Sequence, residues 1–372
     1  MADKPLKFLC GKIAKNRFAV ASLTNCQSNP DGTLHAREKK WLERRAIDGY
    51  GIVNSCCVHV QANGKGWEGE WALFDDKHVD GYKQAAQAIQ KECSLFIVQI
   101  FHAGMRADDK LIEGPARSCV DTVYKHRGGE REVKALTEDE IHILIEDFVK
   151  AAKRAEVAGC DGVEVHGAHG YILTQFHCPE LNTRSDKWGG PSLENRARIT
   201  REVVKGIRAA VSPGFIVGVR LSPEPGYESA GWMMDPDENI QVAQWLADDG
   251  IDFVSVSIFG HCPTHVTPKQ KEKGETRPLV QVFRDALPKD LIVMACGGVA
   301  SGKDVYTLLD MGIDVAVTGK SAISTPDFPI KVIQNKDYEI TVHPPYPLAH
   351  LEAVDVSPPF VDFLRSMRMV KE

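Results

Sequence analysis

Short runs of β-branched and other apolar residues alternate along this chain with longer stretches whose apolar positions recur every three or four residues. That alternation is the pattern of parallel strand-then-helix units. The runs predict eight strands, at 18–21, 51–54, 96–100, 162–165, 216–221, 253–256, 291–295 and 315–318. Among the helical stretches, LTEDEIHILIEDFVKAAKRAEVAG at 136–159 is the clearest. Thr137 with Glu140 reads as a capping box, Ile141, Ile145, Phe148, Ala152 and Ala155 share one face, and Gly159 ends the helix. Similar patterns occupy 192–211, 238–249 and 301–311.

Strands that read as continuous apolar runs need both faces covered, and eight such units close into a barrel of about 250 residues. The expectation is therefore one (β/α)8 TIM barrel domain spanning residues 1–372, with insertions making up the extra length. A doubly wound open sheet is the competing fold, disfavoured because no G-x-G-x-x-G follows the first strand. Two regions depart from the repeat. A long polar insertion follows the third strand, from Asp108 to Glu132, and reads either as a lid or as a solvated loop. Beyond Tyr338 a proline-containing tail is expected to wrap the outside.

Charge and cysteine content narrow the partners. The net charge of -6, with basic residues scattered, disfavours nucleic acid and anionic membrane surfaces. No apolar run approaches the roughly 20 residues of a membrane span, and MADKPLKFLCGK lacks the apolar stretch of a secretory signal, so a soluble, cytoplasmic protein acting on a small molecule is expected. The 10 cysteines include no C-x-x-C pair, which argues against zinc-ribbon, thioredoxin-like and iron–sulfur sites. Homo-oligomer formation stays open.

In such barrels the site lies where the strands end. Polar and small residues collect at those ends: Ser22 and Thr24, Cys57, Gln99 and His102, then His166, His169 and Tyr171, then Arg220, Ser257, Gly297, Gly298, Gly319 and Lys320. The last two units, VMACGGVASGKD and VAVTGKSAISTPDFP, each set glycine at a strand-to-helix junction, where backbone N–H groups can approach a phosphate and Lys320 can add charge. In GVEVHGAHGYILTQF at 162–176 the two histidines lack the i,i+4 spacing of a helical zinc motif and have no neighbouring cysteine or obvious carboxylate partner. Metal ligands, a packed structural pair, or N–H donors to a substrate remain the three readings from these residues alone.

The stretch GVEVHGAHGYILTQFHCPELNTRSDKWGGPSLENRAR, from Gly162 to Arg198, resembles the central signature of the Old Yellow Enzyme family of FMN-dependent ene-reductases. KNRFAVASLTN, IVQIFHAG, VRLSPE, ACGGV and TGKSAISTPDFP match further family segments in the expected order, so the resemblance spans nearly the whole chain. It implies FMN as cofactor, NADPH or NADH as reductant, and an enone or enal as substrate. Ser22, Leu23, Thr24 and Cys57 would then line the flavin, Gln99 and Arg220 would bind its pyrimidine edge, and Gly297, Gly298, Gly319 and Lys320 would hold its phosphate. His166 and His169 would bind the substrate carbonyl, and Tyr171 would deliver a proton. Physical chemistry agrees: a permanent cation beside the flavin favours its reduced, anionic ring, paired N–H donors stabilise enolate-like charge, and a phenol with an ordinary pKa near 10 keeps its proton at neutral pH. His102 reads equally as structural or as a flavin contact, and Arg184, Asp186, Glu194 and Arg196 are expected to pair among themselves and fix a loop.

The chain also departs from the family pattern. Lys320 stands where arginine is usual, Pro191 is an extra residue, Cys56 and Cys57 replace acidic and small residues, and Cys26 and Thr24 replace one subgroup's tyrosine and cysteine. Two competing functions follow: a metal-dependent barrel lyase or aldolase using the histidine pair, and a flavin-binding relative without alkene turnover.

Overall fold

The computed structural model describes residues 1–126, 129–223 and 235–372. Arg127 and Gly128 of the insertion, and Glu224 of the VRLSPE segment, lie outside the described residues.

Eight parallel strands form a closed barrel: β1 (Phe18–Val20), β2 (Ile52–His59), β3 (Leu95–Phe101), β4 (Gly162–Gly167), β5 (Ile216–Leu221), β6 (Phe253–Ser257), β7 (Ile292–Cys296) and β8 (Val315–Thr318). The ring closes where β8 pairs with β1, Ala316 opposite Phe18 and Thr318 opposite Val20, which rules out the open doubly wound sheet. Side chains from β1 to β6 and from β8 are buried throughout, and in β7 only Cys296 is partly exposed, as expected of strands covered inside and out. Around them stand α1 (Ala36–Ile47), α2 (Val79–Gln90), α3 (Glu138–Val157), α4 (Leu193–Ala210), α5 (Pro236–Asp248), α6 (Leu279–Ala286), α7 (Gly302–Asp310) and α8 (Phe328–Gln334). The predicted capping box opens α3, with Thr137 Oγ1 accepting from Glu140 N and Glu140 from Thr137 N.

Strand β2 runs farther than its predicted end at Asn54, reaching His59. Its pairing with β3 shifts between Asn54 and Cys57. Ser55 Oγ accepts from Gln99 N at 3.0 Å, so a polar side chain stands in for a ladder bond and the strand resumes. Polar Asn54 and Ser55 thus read as a strand end when they mark a bulge.

The barrel's floor is apolar. An antiparallel pair, Leu6–Lys7 with Ile13–Ala14, carries Phe8 against the entrance ends of the strands. Phe8 meets Phe253 edge to face at 6.2 Å, and a Cβ on Gly218 would lie 2.1 Å from the Phe253 ring, so bare backbone makes room for that ring.

The insertion is present but is folded as a small sheet, with Gly129–Ala135 parallel to Ala116–Ser118 and antiparallel to Thr122–His126. Its strands are mostly polar and exposed, with Tyr124 and Val133 turned inward, which is why it reads as a loop from the sequence. Arg131 Nη2 donates to Met105 O at 2.6 Å, tying this sheet to the turn after β3. In the 178–192 segment, Arg184 grips Asp186 through Nε (3.0 Å) and Nη2 (2.5 Å), as expected. Arg196 pairs with Glu238 of α5 at 2.7 Å instead of with Glu194, because its guanidinium is buried under the loop, donating to His177 O, Gly190 O and Pro191 O. The tail packs on α1 through Trp41 against Phe360 and through Asp355, which pairs with Lys40 and Arg44.

Candidate active site at the barrel mouth

Alternation along β4 turns Glu164 and His166 to the same side, and the β3 and β5 registers bring Gln99 beside Glu164 and Arg220 beside His166. Gln99 Nε2 donates to Glu164 Oε1 at 2.5 Å, with both residues 1% exposed. Arg220, also buried, donates from Nη1 to Ser22 O at 3.4 Å and from Nη2 to Ser257 Oγ at 3.1 Å. The same Ser257 hydroxyl meets His169 Nε2 at 2.9 Å. One polar chain therefore runs Arg220, Ser257, His169. Cys57 lies opposite Gln99 in the β2–β3 pairing, and burial holds its thiol well above the usual thiol range.

His166 and His169 stand edge to face with ring centres 5.0 Å apart, and Tyr171 lies 5.0 Å from His166. Phe101 packs edge-on to Tyr171 at 5.0 Å, and Phe259 borders His169 at 5.6 Å. Burial depresses both imidazoles well below the ordinary histidine range, helped at His166 by neighbouring His169 and then by Arg220 and Arg106, and at His169 by Arg220 and Arg106, so both are neutral at pH 7. Ala168 N donates to His166 Nδ1 at 3.3 Å, which puts the ring proton on Nε2. His169 adopts φ = 61°, a left-handed conformation costly for a residue with a Cβ. Arg106 holds it there, donating from Nη1 to His169 O at 2.5 Å, while its guanidinium covers the Tyr171 ring at 4.9 Å.

The glycines border the same mouth. Gly297 and Gly298 follow β7 with φ = 148° and 63°, and a Cβ on Gly297 would meet Ile258 O at 2.6 Å. Gly319 follows β8 beside Leu23, whose Cδ2 lies 3.4 Å from where a Gly319 Cβ would stand. Ala21 N donates to Thr318 O at 2.9 Å, so the loops after β1 and β8 are neighbours. Thr24 is half-buried and the Lys320 side chain is exposed. Buried Glu38 of α1 anchors the β1 loop by accepting from Asn25 Nδ2 and Ser28 Oγ, both at 2.9 Å. His102 is committed to structure: Gly104 N donates to its Nδ1 at 2.9 Å, and its Nε2 faces Asn63 Oδ1 at 3.2 Å.

Glu164, Arg106 and Glu38 are the residues that reasoning from sequence passed over. Glu164 had a signal, a carboxylate spaced two from His166 inside an otherwise apolar strand.

FMN fits this donor set. Ser22 Oγ and Arg220 Nε are buried with no hydrogen-bond partner among the described residues, so the mouth holds polar capacity that its own chain leaves unused. A cation, an amide and two bare-backbone turns match a ring edge and a phosphate. Among the described residues, no group of three His, Cys, Asp or Glu side chains is placed to hold a metal ion.

Barrel, neutral imidazole pair and polar rim define the class: a flavin-dependent oxidoreductase on a (β/α)8 scaffold. The sequence profile of the NADH:flavin oxidoreductase / NADH oxidase family matches residues 4–339, and the chain belongs to that family, the Old Yellow Enzyme family, with FMN as its cofactor and a nicotinamide as reductant. A probable NADH-dependent flavin oxidoreductase, YqiG of Bacillus subtilis (strain 168), is 32% identical over 342 residues, covering 91% of this chain and 89% of its own length. The NADH:fumarate oxidoreductase of Klebsiella pneumoniae (strain 342) is 29% identical over 367 residues; the match takes in 95% of this chain but only 39% of that longer protein. Among solved structures, the old yellow enzyme homologue from Zymomonas mobilis superposes with a TM-score of 0.79 at 24% identity, covering 94% of this chain and 96% of that one. No helix among the described residues is long and apolar enough to cross a membrane.

Proposed function

We propose that this chain, acting as a single FMN-binding domain, reduces the activated C=C bond of α,β-unsaturated carbonyl compounds such as enones and enals, with NADPH or NADH as reductant. The observation that carries the reading is the neutral His166–His169 pair, 5.0 Å apart, with Tyr171 5.0 Å from His166 and the Arg220 edge linked to it through Ser257.

Gly297, Gly298, Gly319 and Lys320 would hold the FMN phosphate, Gln99 and Arg220 the pyrimidine edge, and Ser22, Leu23, Thr24 and Cys57 would line the ring. Bound there, FMN would supply the hydride chemistry, with NADPH or NADH as the source of the hydride. The chain's own residues do the rest. His166, with its proton on Nε2, donates to the substrate carbonyl oxygen alongside His169. Each such donor contributes about 3 kcal/mol toward stabilising the charge that develops there. Neutral imidazoles suit this role, because they donate without changing protonation state near pH 7. Tyr171 gives its phenolic proton to Cα, its ring fixed between Phe101 and Arg106.

The test is direct. Protein purified with FMN should be yellow, bleach on addition of NADPH or NADH, and recover its colour when cyclohexenone is added. Colourless protein that FMN cannot restore would remove the cofactor reading, and yellow protein indifferent to a panel of enones would leave a flavoprotein without alkene turnover.

A further inference from the structure

Glu164 takes no part in the reaction outlined above, yet it is a 1% exposed carboxylate inside the barrel beneath His166 and Arg220. A carboxylate only accepts hydrogen bonds, so its contact of 2.5 Å with Gln99 dictates that the NH2 end of the Gln99 amide faces it. The oxygen end of that amide is then an acceptor for a ring N–H. Among the described residues Glu164 has no lysine or arginine salt bridge, and its other oxygen, Oε2, and Arg220 Nε are both buried without a hydrogen-bond partner. Burial raises the Glu164 pKa from the ordinary carboxylate value, and the charge of Arg220, the cation of the proposed pyrimidine edge, is the largest influence that opposes that rise.

We infer that Glu164 is a positioning residue for the cofactor edge: it fixes the Gln99 amide and, as a buried counter-charge to Arg220, lowers the reduction potential of bound FMN. The inference rests on the FMN reading above. A cation beside the flavin favours the reduced, anionic ring, and a carboxylate near that cation subtracts from its effect. A lower potential leaves the reduced cofactor a stronger hydride donor to the alkene, at the cost of a smaller driving force from the nicotinamide.

The experiment is a dye-equilibrated potential titration of the FMN-loaded protein, with FMN affinity measured alongside. Glu164→Gln removes the charge and keeps the shape, and should shift the reduced-to-oxidised ratio at least tenfold toward reduced, about 30 mV upward for a two-electron couple. Glu164→Asp keeps the charge but withdraws it from Gln99, so FMN should bind several-fold more weakly while the potential stays within threefold of the parent ratio. An unchanged potential in FMN-saturated Glu164→Gln would overturn the inference, as would equal shifts in both variants. Should Glu164→Gln fail to fold, Glu164→Asp decides alone: weaker FMN binding with an unmoved potential supports the role, and no change in affinity overturns it. Parent protein that takes up no FMN overturns the cofactor reading itself, an outcome distinct from these.

Discussion

The same eight strands end in two different chemistries. At the floor they present Ala19, Ile52, Ile97, Ile216, Phe253, Met294 and Val315, closed off by Phe8 and Leu6, and every one of these is buried and apolar. At the mouth they present Gln99, Glu164, His166, Arg220 and Ser257, equally buried but polar, with Ser22 Oγ, Glu164 Oε2 and Arg220 Nε left without partners among the described residues. An unsatisfied buried polar atom costs roughly 1–3 kcal/mol. The mouth is therefore held together against its own preference by the packing below it, and a ligand with complementary groups recovers part of that cost. Stability and chemistry are separable along one strand: at β6, Phe253 seals the floor and Ser257, four residues on, bridges Arg220 to His169.

Phe8→Ala probes the floor and should have the largest effect. It removes a ring packed on Phe253 and should destabilise the protein by about 3–5 kcal/mol in urea unfolding, leaving turnover per folded molecule within about twofold. A large loss of turnover in folded Phe8→Ala would show that the two ends are coupled. His169→Ala is the mirror experiment: alkene reduction should fall about 10²–10³-fold, close to 3 kcal/mol in the barrier, with unfolding midpoints little changed. His169→Asn should recover much of that loss, since asparagine tolerates the left-handed backbone seen at φ = 61° and still offers an N–H.

Between the ends, His102 tests whether the layer beneath the mouth is structural. Burial lowers its pKa to about 3, against about 6.5 in the unfolded chain. Its neutral form therefore contributes stability above the unfolded value, and that contribution is lost as pH falls below about 6.5, because the unfolded state takes up the proton first. In His102→Gln the decline in stability from about pH 5.5 to about pH 4 should be shallower by about 1.4 kcal/mol per unit, read from urea curves at each pH. A slope identical to the parent's would mean His102 is already protonated in the fold. The smallest effect is expected at the rim: Lys320→Arg offers a two-pronged grip in place of an exposed point charge and should tighten FMN binding a few-fold by equilibrium titration.

How much of this was legible in the sequence follows the same division. The floor and the strands were, because runs such as FIVQI and IVGVRL carry their burial in their composition. So were the residues at strand ends, since a barrel's topology alone gathers Gln99, His166, Arg220 and Ser257 at one mouth. What escaped depends on contacts no local pattern encodes. Arg196 reaches Glu238, 42 positions away, instead of its neighbour Glu194. Arg131 reaches back across 26 positions to Met105 and thereby converts a polar insertion into a buttress for the turn that carries Arg106. The bulge at Asn54–Cys57 hides a continuing strand behind polar residues. Glu164 was overlooked because a carboxylate flanked by valines reads as an exception when it is in fact a partner for Gln99.

The central claim is a division of labour at the mouth, with the imidazole pair gripping an oxygen and Tyr171 providing the proton. Stopped-flow measurement of the two half-reactions in FMN-loaded Tyr171→Phe tests it most directly. Flavin reduction by NADPH or NADH should proceed at close to the parent rate, while reoxidation by an enone should slow by about 10²-fold or more. Equal slowing of both half-reactions, or reoxidation at the parent rate, would contradict it.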